Sequence, residues 1–587
     1  MIKVLKNLGK KELVFAIICI VFIFSQVWLE LKIPDYMSKI TVLVKTPGTG
    51  MKDVLEQGLY MTLCALGSLV TSIIVGYFAS FIAAKFGFIM RKRVFDKVEN
   101  FGMEEIKMFS TSSLITRTTN DVFQVQMLIA IGLQAFIKAP IMAVWAITKI
   151  AGKGSSWTIA TVVAVVFLLL VVGILMKLVL PKFKKLQKLT DGLNRVTREN
   201  LTGIRVIRAF NAEEYQTDKF ESVNDDLTKT HMFIQRSMSV MAPVMTLIMS
   251  VLPLSIYLIG AFLINKANMM DKIVLFSNMV VFSSYAIQVV MSFVMLIVIF
   301  IIYPRASVSA NRINEVLDCE TKIKDGKISK DKTNERGTIE FKDVSFRYPD
   351  AEEYILENIS FKAKKGDTIA FIGSTGSGKS TLVNLIPRFY DVSKGSILVD
   401  GVDVKEYKQE FLHNKIGYIP QKAVMFSGTV KENVLYGDNG KKDINDKELI
   451  EVLKIAQGYE FVSRMEEGIN SHIAGGGTNI SGGQKQRLAI ARAIARHPEI
   501  YIFDDSFSAL DYKTDFILRQ ELKKYMKDAT TLIVAQRIGT IKDADKIIVL
   551  DSGKVVGEGT HKELLKNCEV YKEIALSQLS KEELENA

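Results

Sequence analysis

Nine consecutive residues, Gly373, Ser374, Thr375, Gly376, Ser377, Gly378, Lys379, Ser380 and Thr381, follow directly on the apolar run Thr368–Ile372. Glycines at this spacing let backbone N–H groups converge on phosphate oxygens where a helix begins. Lys379 is placed to reach β- and γ-phosphates, and the Ser380 hydroxyl to ligate a divalent cation. A second apolar run, Ile500–Asp504, ends in a carboxylate that can hold the same cation, directly or through water. A strand-end aspartate is ordinary by itself; paired with the glycine-lysine loop it points to ATP and Mg²⁺ as ligands.

Those residues need a parallel sheet to position them. From Gly337 onward, short β-rich runs (Thr338–Phe341, Thr368–Ile372, Ile500–Phe503, Thr531–Ala535, Lys546–Leu550) are separated by helical segments. That alternation predicts an α/β nucleotide-binding domain.

The N-terminal half is of another kind. Six apolar stretches, at 13–33, 57–84, 125–148, 157–180, 237–265 and 273–303, each reach the ~20 residues a membrane-crossing helix needs. The third contains Lys138, for which snorkelling or pairing inside the bundle is the plainer reading and substrate contact the sharper one. Connections 34–54, 151–156 and 267–272 are short, whereas 85–124 and 181–236 are long, charged and helix-compatible. Folded as helices that descend and return, their ~20–25-residue arms reach ~30–40 Å past the bilayer. An even number of spans puts both ends on one side, which ATP identifies as cytosol; Lys3, Lys6, Lys10 and Lys11 agree with the positive-inside rule. The expected layout is a membrane all-α six-helix domain over 1–315, a linker over 316–336 and the α/β domain over 337–587.

Composition narrows the alternatives. Hydrophobic residues make up 49% of 587, and the net charge is +12. The basic residues flank apolar spans, so anionic lipid and topology explain them better than nucleic acid does. Cys19, Cys64, Cys319 and Cys568 lie far apart, indicating neither a disulfide framework nor a zinc site. The start resembles a signal peptide over Leu13–Leu29, but no small-residue cleavage site is obvious and further spans follow, so a retained first helix is expected.

A further set of motifs carries a family resemblance over nearly the whole chain. Ile480, Ser481, Gly482, Gly483 and Gln484 match the signature of ATP-binding-cassette (ABC) ATPases, and Gln421 after Tyr418-Ile-Pro matches their glutamine loop. Ser508-Ala-Leu-Asp511 matches the D-loop, and Tyr348 stands where the family stacks an aromatic on adenine. The six spans resemble the exporter-type transmembrane fold, with Ser112–Asp121 and Gly203–Glu214 in the place of coupling regions. The resemblance implies that Gln421, Ser380 and Asp504 contact Mg²⁺ and that ATP is sandwiched between the phosphate loop of one domain and the signature of another. One copy of each element then requires a second half-transporter.

Two residues depart from the family pattern. The residue after the Mg²⁺-binding aspartate is normally a catalytic glutamate; here it is Asp505, one methylene shorter. Retraction by ~1.5 Å, one C–C bond, is enough to lose a contact that must lie within ~2.6–3.2 Å, and ~1 Å of misplacement can cost on the order of 10²-fold. The usual histidine near the γ-phosphate is Gln536, which donates a neutral hydrogen bond but never becomes cationic. Ala474-Gly475-Gly476-Gly477 also lacks a glutamate that exporters often carry before the signature. The expectation is half of a heterodimeric ATP-driven exporter in the plasma membrane of a bacterium. Its own site would be slow, and its intact signature would serve a partner that carries the proper glutamate. Uptake of a siderophore or cofactor by the same fold, an active homodimer and a regulatory subunit remain alternatives. The substrate, expected to be amphipathic or hydrophobic, is not specified: Met238, Met241, Met245, Met249, Tyr285, Gln288 and Phe293 could line a cavity, though facing lipid or neighbouring helices is the plainer reading for each.

Overall fold

The computed structural model describes residues 3, 9–46, 48–151, 153–437 and 444–578; Lys6 lies outside them. The chain divides into two compact units, one of 1–99 with 111–319 and one of 100–110 with 320–587.

The first unit is all helix. Its elements are α1 (Lys10–Lys45) and α2 (Met51–Glu99), then, past α3 (Met103–Phe109) of the second unit, α4 (Thr111–Thr116), a π-helical turn at Arg117–Asp121 and α5 (Val122–Ile150). They are followed by α6 (Ser155–Thr202), α7 (Ile204–Ala209), α8 (Glu213–Ser239), α9 (Met241–Lys266) and α10 (Met269–Asp318). Among the described residues six helical stretches are long and apolar enough to cross a membrane, which matches the six spans expected. Each runs well beyond its apolar run. Residues 34–45, expected as part of a connection, continue α1, and α10 runs past the sixth apolar stretch to Asp318. Polarity changes where the solvent changes; the backbone has no reason to stop there, because residues such as Lys39, Arg305, Ala306, Arg312 and Glu315 are good helix formers.

Within this unit α1 packs on α2, α5 on α10, α6 on α8 and α9, and α9 on α10. Trp157 and Phe282 are fully buried with ring centroids 5.6 Å apart, and the Trp157 indole N–H donates to the Ile256 carbonyl at 3.1 Å. Lys138 pairs inside the bundle, with its Nζ 2.8 Å from Glu30 Oε1. Tyr285, offered above as a cavity residue, is fully buried and donates to Asp35 Oδ1 at 2.6 Å. Ser112–Asp121 belongs to this unit and is tied to α10: Arg117 meets Glu315 at 2.7 Å and Ser309 donates to Asp121 at 2.9 Å. The stretch that joins the second unit is instead the one just before it, 100–110. Gly203–Glu214 forms the turn between α6 and α8, carrying α7 and an exposed Phe210.

The second unit is α/β. Strands β1 (Ile339–Phe346), β2 (Leu356–Ala363), β4 (Lys394–Val399) and β5 (Val402–Asp403) form a four-stranded antiparallel sheet in the order β2-β1-β4-β5. A six-stranded sheet runs β12-β11-β3-β10-β9-β6, built from β3 (Thr368–Gly373), β6 (Ile416–Ile419), β9 (Ile500–Asp504), β10 (Thr530–Val534), β11 (Lys546–Asp551) and β12 (Lys554–Gly559). All its pairings are parallel except β11 with β12. Residues Ile500–Asp504 and Thr530–Val534 are buried throughout, which suits strands covered on both faces. The buried ammonium of Lys415 links the two sheets and the preceding segment, donating to Asp400 at 2.8 Å, Asp331 at 2.7 Å and Glu499 at 3.0 Å. A small two-stranded antiparallel sheet pairs β7 (Gly428–Thr429) with β8 (His472–Ile473).

Candidate nucleotide site

Parallel strands deliver their following loops to one edge, and ligands in open α/β sheets bind outside the carboxyl ends of the strands. Here Val534 pairs with Phe371 on one side and Asp504 on the other, while Ile419 pairs with Phe503. The residues just beyond β3, β10, β9 and β6 are therefore neighbours: the glycine-lysine loop, Gln536, Asp505 and Gln421. Four segments scattered over more than 160 positions of sequence meet by register alone.

The loop leads into a helix at Lys379–Leu385, with Gly378 as its N-terminal cap at φ +94° and Gly376 at φ +87°. Both values lie where only glycine is free of Cβ strain. Gly373 is required for another reason, since a Cβ there would lie 2.0 Å from the Leu550 carbonyl. Lys379 curls over the loop, donating to the Gly373 and Ser374 carbonyls at 2.9 and 2.7 Å and to Ser377 Oγ at 3.3 Å. Burial lowers its pKa against the pull of Asp505 and Asp504. Its nearest partners are neutral oxygens, which suits an ammonium that awaits an anion. Thr381 Oγ1 lies 3.1 Å from the Tyr348 hydroxyl, and Tyr348 stands edge-on to Phe346 and Tyr390. The loop and the aromatic proposed for adenine are thus joined by one hydrogen bond.

Ser380 Oγ donates to Asp504 Oδ1 at 2.7 Å. Burial pushes the Asp504 carboxyl above the usual carboxylate range; the Ser380 hydrogen bond opposes that shift and the neighbouring Asp505 charge adds to it. A hydroxyl and a buried carboxylate in contact form an all-oxygen donor set of the kind Mg²⁺ takes, so the residues fit that ion. Tyr418 and Asn384 complete the wall: the phenol donates to Asn384 Oδ1 at 2.9 Å. Asn384 was not singled out in the sequence, and Tyr418 was named only as the start of the run before Gln421.

Asp505 has φ +48°, in the left-handed region where aspartate is enriched and longer side chains are not. Its N–H donates to Val534 O at 3.0 Å, and Ser508 Oγ donates to its carbonyl at 2.9 Å. On the side chain, Gln536 Nε2 and Gln421 Nε2 both donate to Oδ2, at 2.9 and 3.1 Å. Burial raises the Asp505 pKa, opposed first by the Gln421 hydrogen bond.

The signature is built as a helix start. Ser481 caps the helix Gly482–Ala495, accepting from the Gln484 N–H at 3.3 Å, while Gln484 Oε1 accepts from the Ser481 N–H at 2.8 Å. That reciprocal box leaves the N–H groups of Gly482 and Gly483 at the positive end of the helix dipole. A Cβ on Gly482 would meet nothing within 4 Å, so its surroundings are open.

A membrane domain of six long helices followed by an α/β nucleotide-binding domain with these motifs defines an ABC transporter of the exporter-type fold. Comparison with known proteins agrees. The family model for the ABC transporter domain matches residues 356–508, and that for the ABC transporter transmembrane region matches 13–293. An uncharacterized ABC transporter ATP-binding protein of Mycobacterium tuberculosis is 39% identical over 517 residues, covering 88% of this chain and 86% of its own. YfiB of Bacillus subtilis, of the same description, is 35% identical over 577 residues and 96% of each chain. The structure of a bacterial Atm1-family ABC exporter with ATP bound superposes with a TM-score of 0.80 at 23% identity, over 97% of this chain and all of the other. The chain belongs to the ABC transporter family, and its ATP-binding domain implies a transport ATPase.

Proposed function

We propose that this chain is one half of a heterodimeric ABC exporter. Its phosphate loop retains ATP and cleaves it slowly, and its Ser481–Gln484 signature completes a faster site on the partner's phosphate loop. The nucleotide-binding domain lies in the cytosol, and the partner carries the catalytic glutamate.

The observation that carries the reading is the state of Asp505. A general base must present an oxygen to the attacking water. One oxygen of Asp505 already accepts from two amides, and the carboxylate is a C–C bond short of the usual reach. Its raised pKa suits a base, so basicity is not the deficit; reach and engagement are. Gln536 supplies a neutral amide where a cationic imidazole could stabilise charge growing on the γ-phosphate. Binding parts are kept. Lys379 and the loop N–H groups grip phosphate, Tyr348 offers a face to adenine, and Ser380, Asp504 and the Gln421 side-chain oxygen would hold Mg²⁺. That ion, when bound, neutralises charge between the β- and γ-phosphates.

Slow cleavage at one site gives the pair a standing clamp while the other site cycles. The test is nucleotide retention. The complex, loaded with radiolabelled Mg-ATP and chased with unlabelled ATP, should retain one uncleaved triphosphate per pair over many turnovers. Equal loss from both sites would refute the assignment.

A further inference from the structure

The membrane unit contains two half-buried acid–base clusters that differ in one respect. At Asp35 both carboxylate oxygens are used: Tyr285 donates to Oδ1 at 2.6 Å and Lys149 to Oδ2 at 2.6 Å. At Glu30, one turn and a half earlier on α1, every described donor falls on Oε1: Lys138 at 2.8 Å, Gln26 at 3.0 Å and Ser68 at 3.2 Å. Oε2 has no described partner. The first cluster is a closed structural clasp; the second has an acceptor to spare.

Glu30 lines a cavity of about 320 Å³ together with Pro34 and Met37 of α1, Met142 of α5, and Ser284 and Gln288 of α10. Apart from the Gln288 amide NH2, its polar atoms are acceptors. Pro34 has no N–H, so the Glu30 carbonyl loses its helical donor. Gln288 Oε1 is buried with no hydrogen-bond partner. The Ser284 hydroxyl spends its proton on the Val280 carbonyl at 3.3 Å, leaving only lone pairs. Two thioethers complete the wall as weak acceptors. Lys138 balances the Glu30 charge but binds the other oxygen, so Oε2 is the negative end of that pair's dipole. A buried acceptor without a donor costs free energy, and a guest bearing N–H groups removes that cost at Gln288 Oε1 while also reaching the spare Glu30 oxygen.

We infer that this cavity is a substrate site for amphipathic cations that carry N–H donors, such as primary alkylammonium compounds. Glu30 Oε2 and Gln288 Oε1 receive the ammonium, and the methionines and the flanking apolar helices receive the tail. The volume suits a small ligand or a headgroup. The inference rests on the transport reading for its purpose, but the site can be read without transport.

The experiment measures binding of dansylcadaverine, a fluorescent primary amine, to the full chain in lipid nanodiscs without nucleotide, with signal from empty nanodiscs subtracted. Its N-acetyl derivative, lacking the charge, is the comparator. Saturable binding at least tenfold tighter for the amine is expected, and Gln288→Leu and Glu30→Gln should each weaken it about tenfold. Because Glu30→Gln also disturbs Lys138, Gln288→Leu is the cleaner variant: it removes an unpaired acceptor, so thermal stability should hold or rise while amine binding falls. Equal binding of the two probes, or amine binding unmoved by Gln288→Leu, would overturn the site. ATP-driven accumulation of the amine in inside-out vesicles of the complex is read separately. Binding without accumulation would support the site and count against its use in export.

Discussion

Gln536 donates to Asp505 Oδ2 at 2.9 Å, on the same oxygen that accepts from Gln421 at 3.1 Å. Three side chains proposed to face a γ-phosphate and its attacking water are bonded to one another. Restoring the reach and the cation should therefore restore the chemistry. The double variant Asp505→Glu with Gln536→His is expected to raise single-turnover hydrolysis at this site on the order of 10²-fold. The rate is measured with the partner's glutamate removed, so that only this site reports. An unchanged rate would place the limitation elsewhere.

Asp504 gives a pH dependence. Burial raises its pKa, with the nearby Asp505 charge in the same direction. A carboxyl with a raised pKa takes up its proton at a higher pH than an ordinary one, and the protonated form is a poor Mg²⁺ ligand. The advantage of Mg-ATP over metal-free ATP in binding should shrink on acidification, beginning above the ordinary carboxylate range. Asp504→Asn should flatten the profile. Equilibrium binding with and without magnesium across mildly acidic pH tests this.

Ser481 has two separable roles. Its side chain caps the helix Gly482–Ala495, and loss of such a cap costs about 1 kcal/mol. Ser481→Ala should lower the unfolding midpoint of the protein slightly. If the signature serves the partner's site, the same change should also depress steady-state ATPase of the pair far more than that small destabilisation explains. Ser481→Asp keeps a capping group but brings negative charge toward phosphate, so it should restore stability and not activity.

Lys415 tests the architecture rather than the chemistry. Its side chain is 6% exposed and faces Asp400, itself 3% exposed, as well as Asp331 and Glu499. Removing one member of a buried pair strands the other charge, at ~3–5 kcal/mol. Lys415→Met should unfold the nucleotide-binding domain at markedly lower denaturant concentration. Lys415→Met with Asp400→Asn should recover part of the loss, and a double-mutant cycle measures the coupling.

The phosphate loop, the strand-end Asp504 and the five core runs could be read from sequence because each is local: a glycine spacing, or a short β-branched run between turns. The chain's departures at Asp505 and Gln536 were visible for the same reason. What the sequence did not display was contact. Lys138 was expected to snorkel or to pair within the bundle, but Glu30, 108 positions away, could not be named. The Gln421–Asp505–Gln536 knot depends on β6, β9 and β10 ending in register, and β6 is only four residues long. Helices run past their apolar stretches where polarity changes without a change of backbone, as at 34–45 and 304–318. The apolar run marks the solvent boundary; the helix crosses it.

The most direct measurement is steady-state ATPase of the assembled pair with one acid neutralised at a time. Asp505→Asn keeps a residue that tolerates the left-handed backbone and is predicted to leave most of the turnover intact, whereas neutralising the partner's glutamate should abolish it. Near-complete loss with Asp505→Asn, or vigorous Mg-ATPase from this chain purified without any second kind of subunit, would contradict the account.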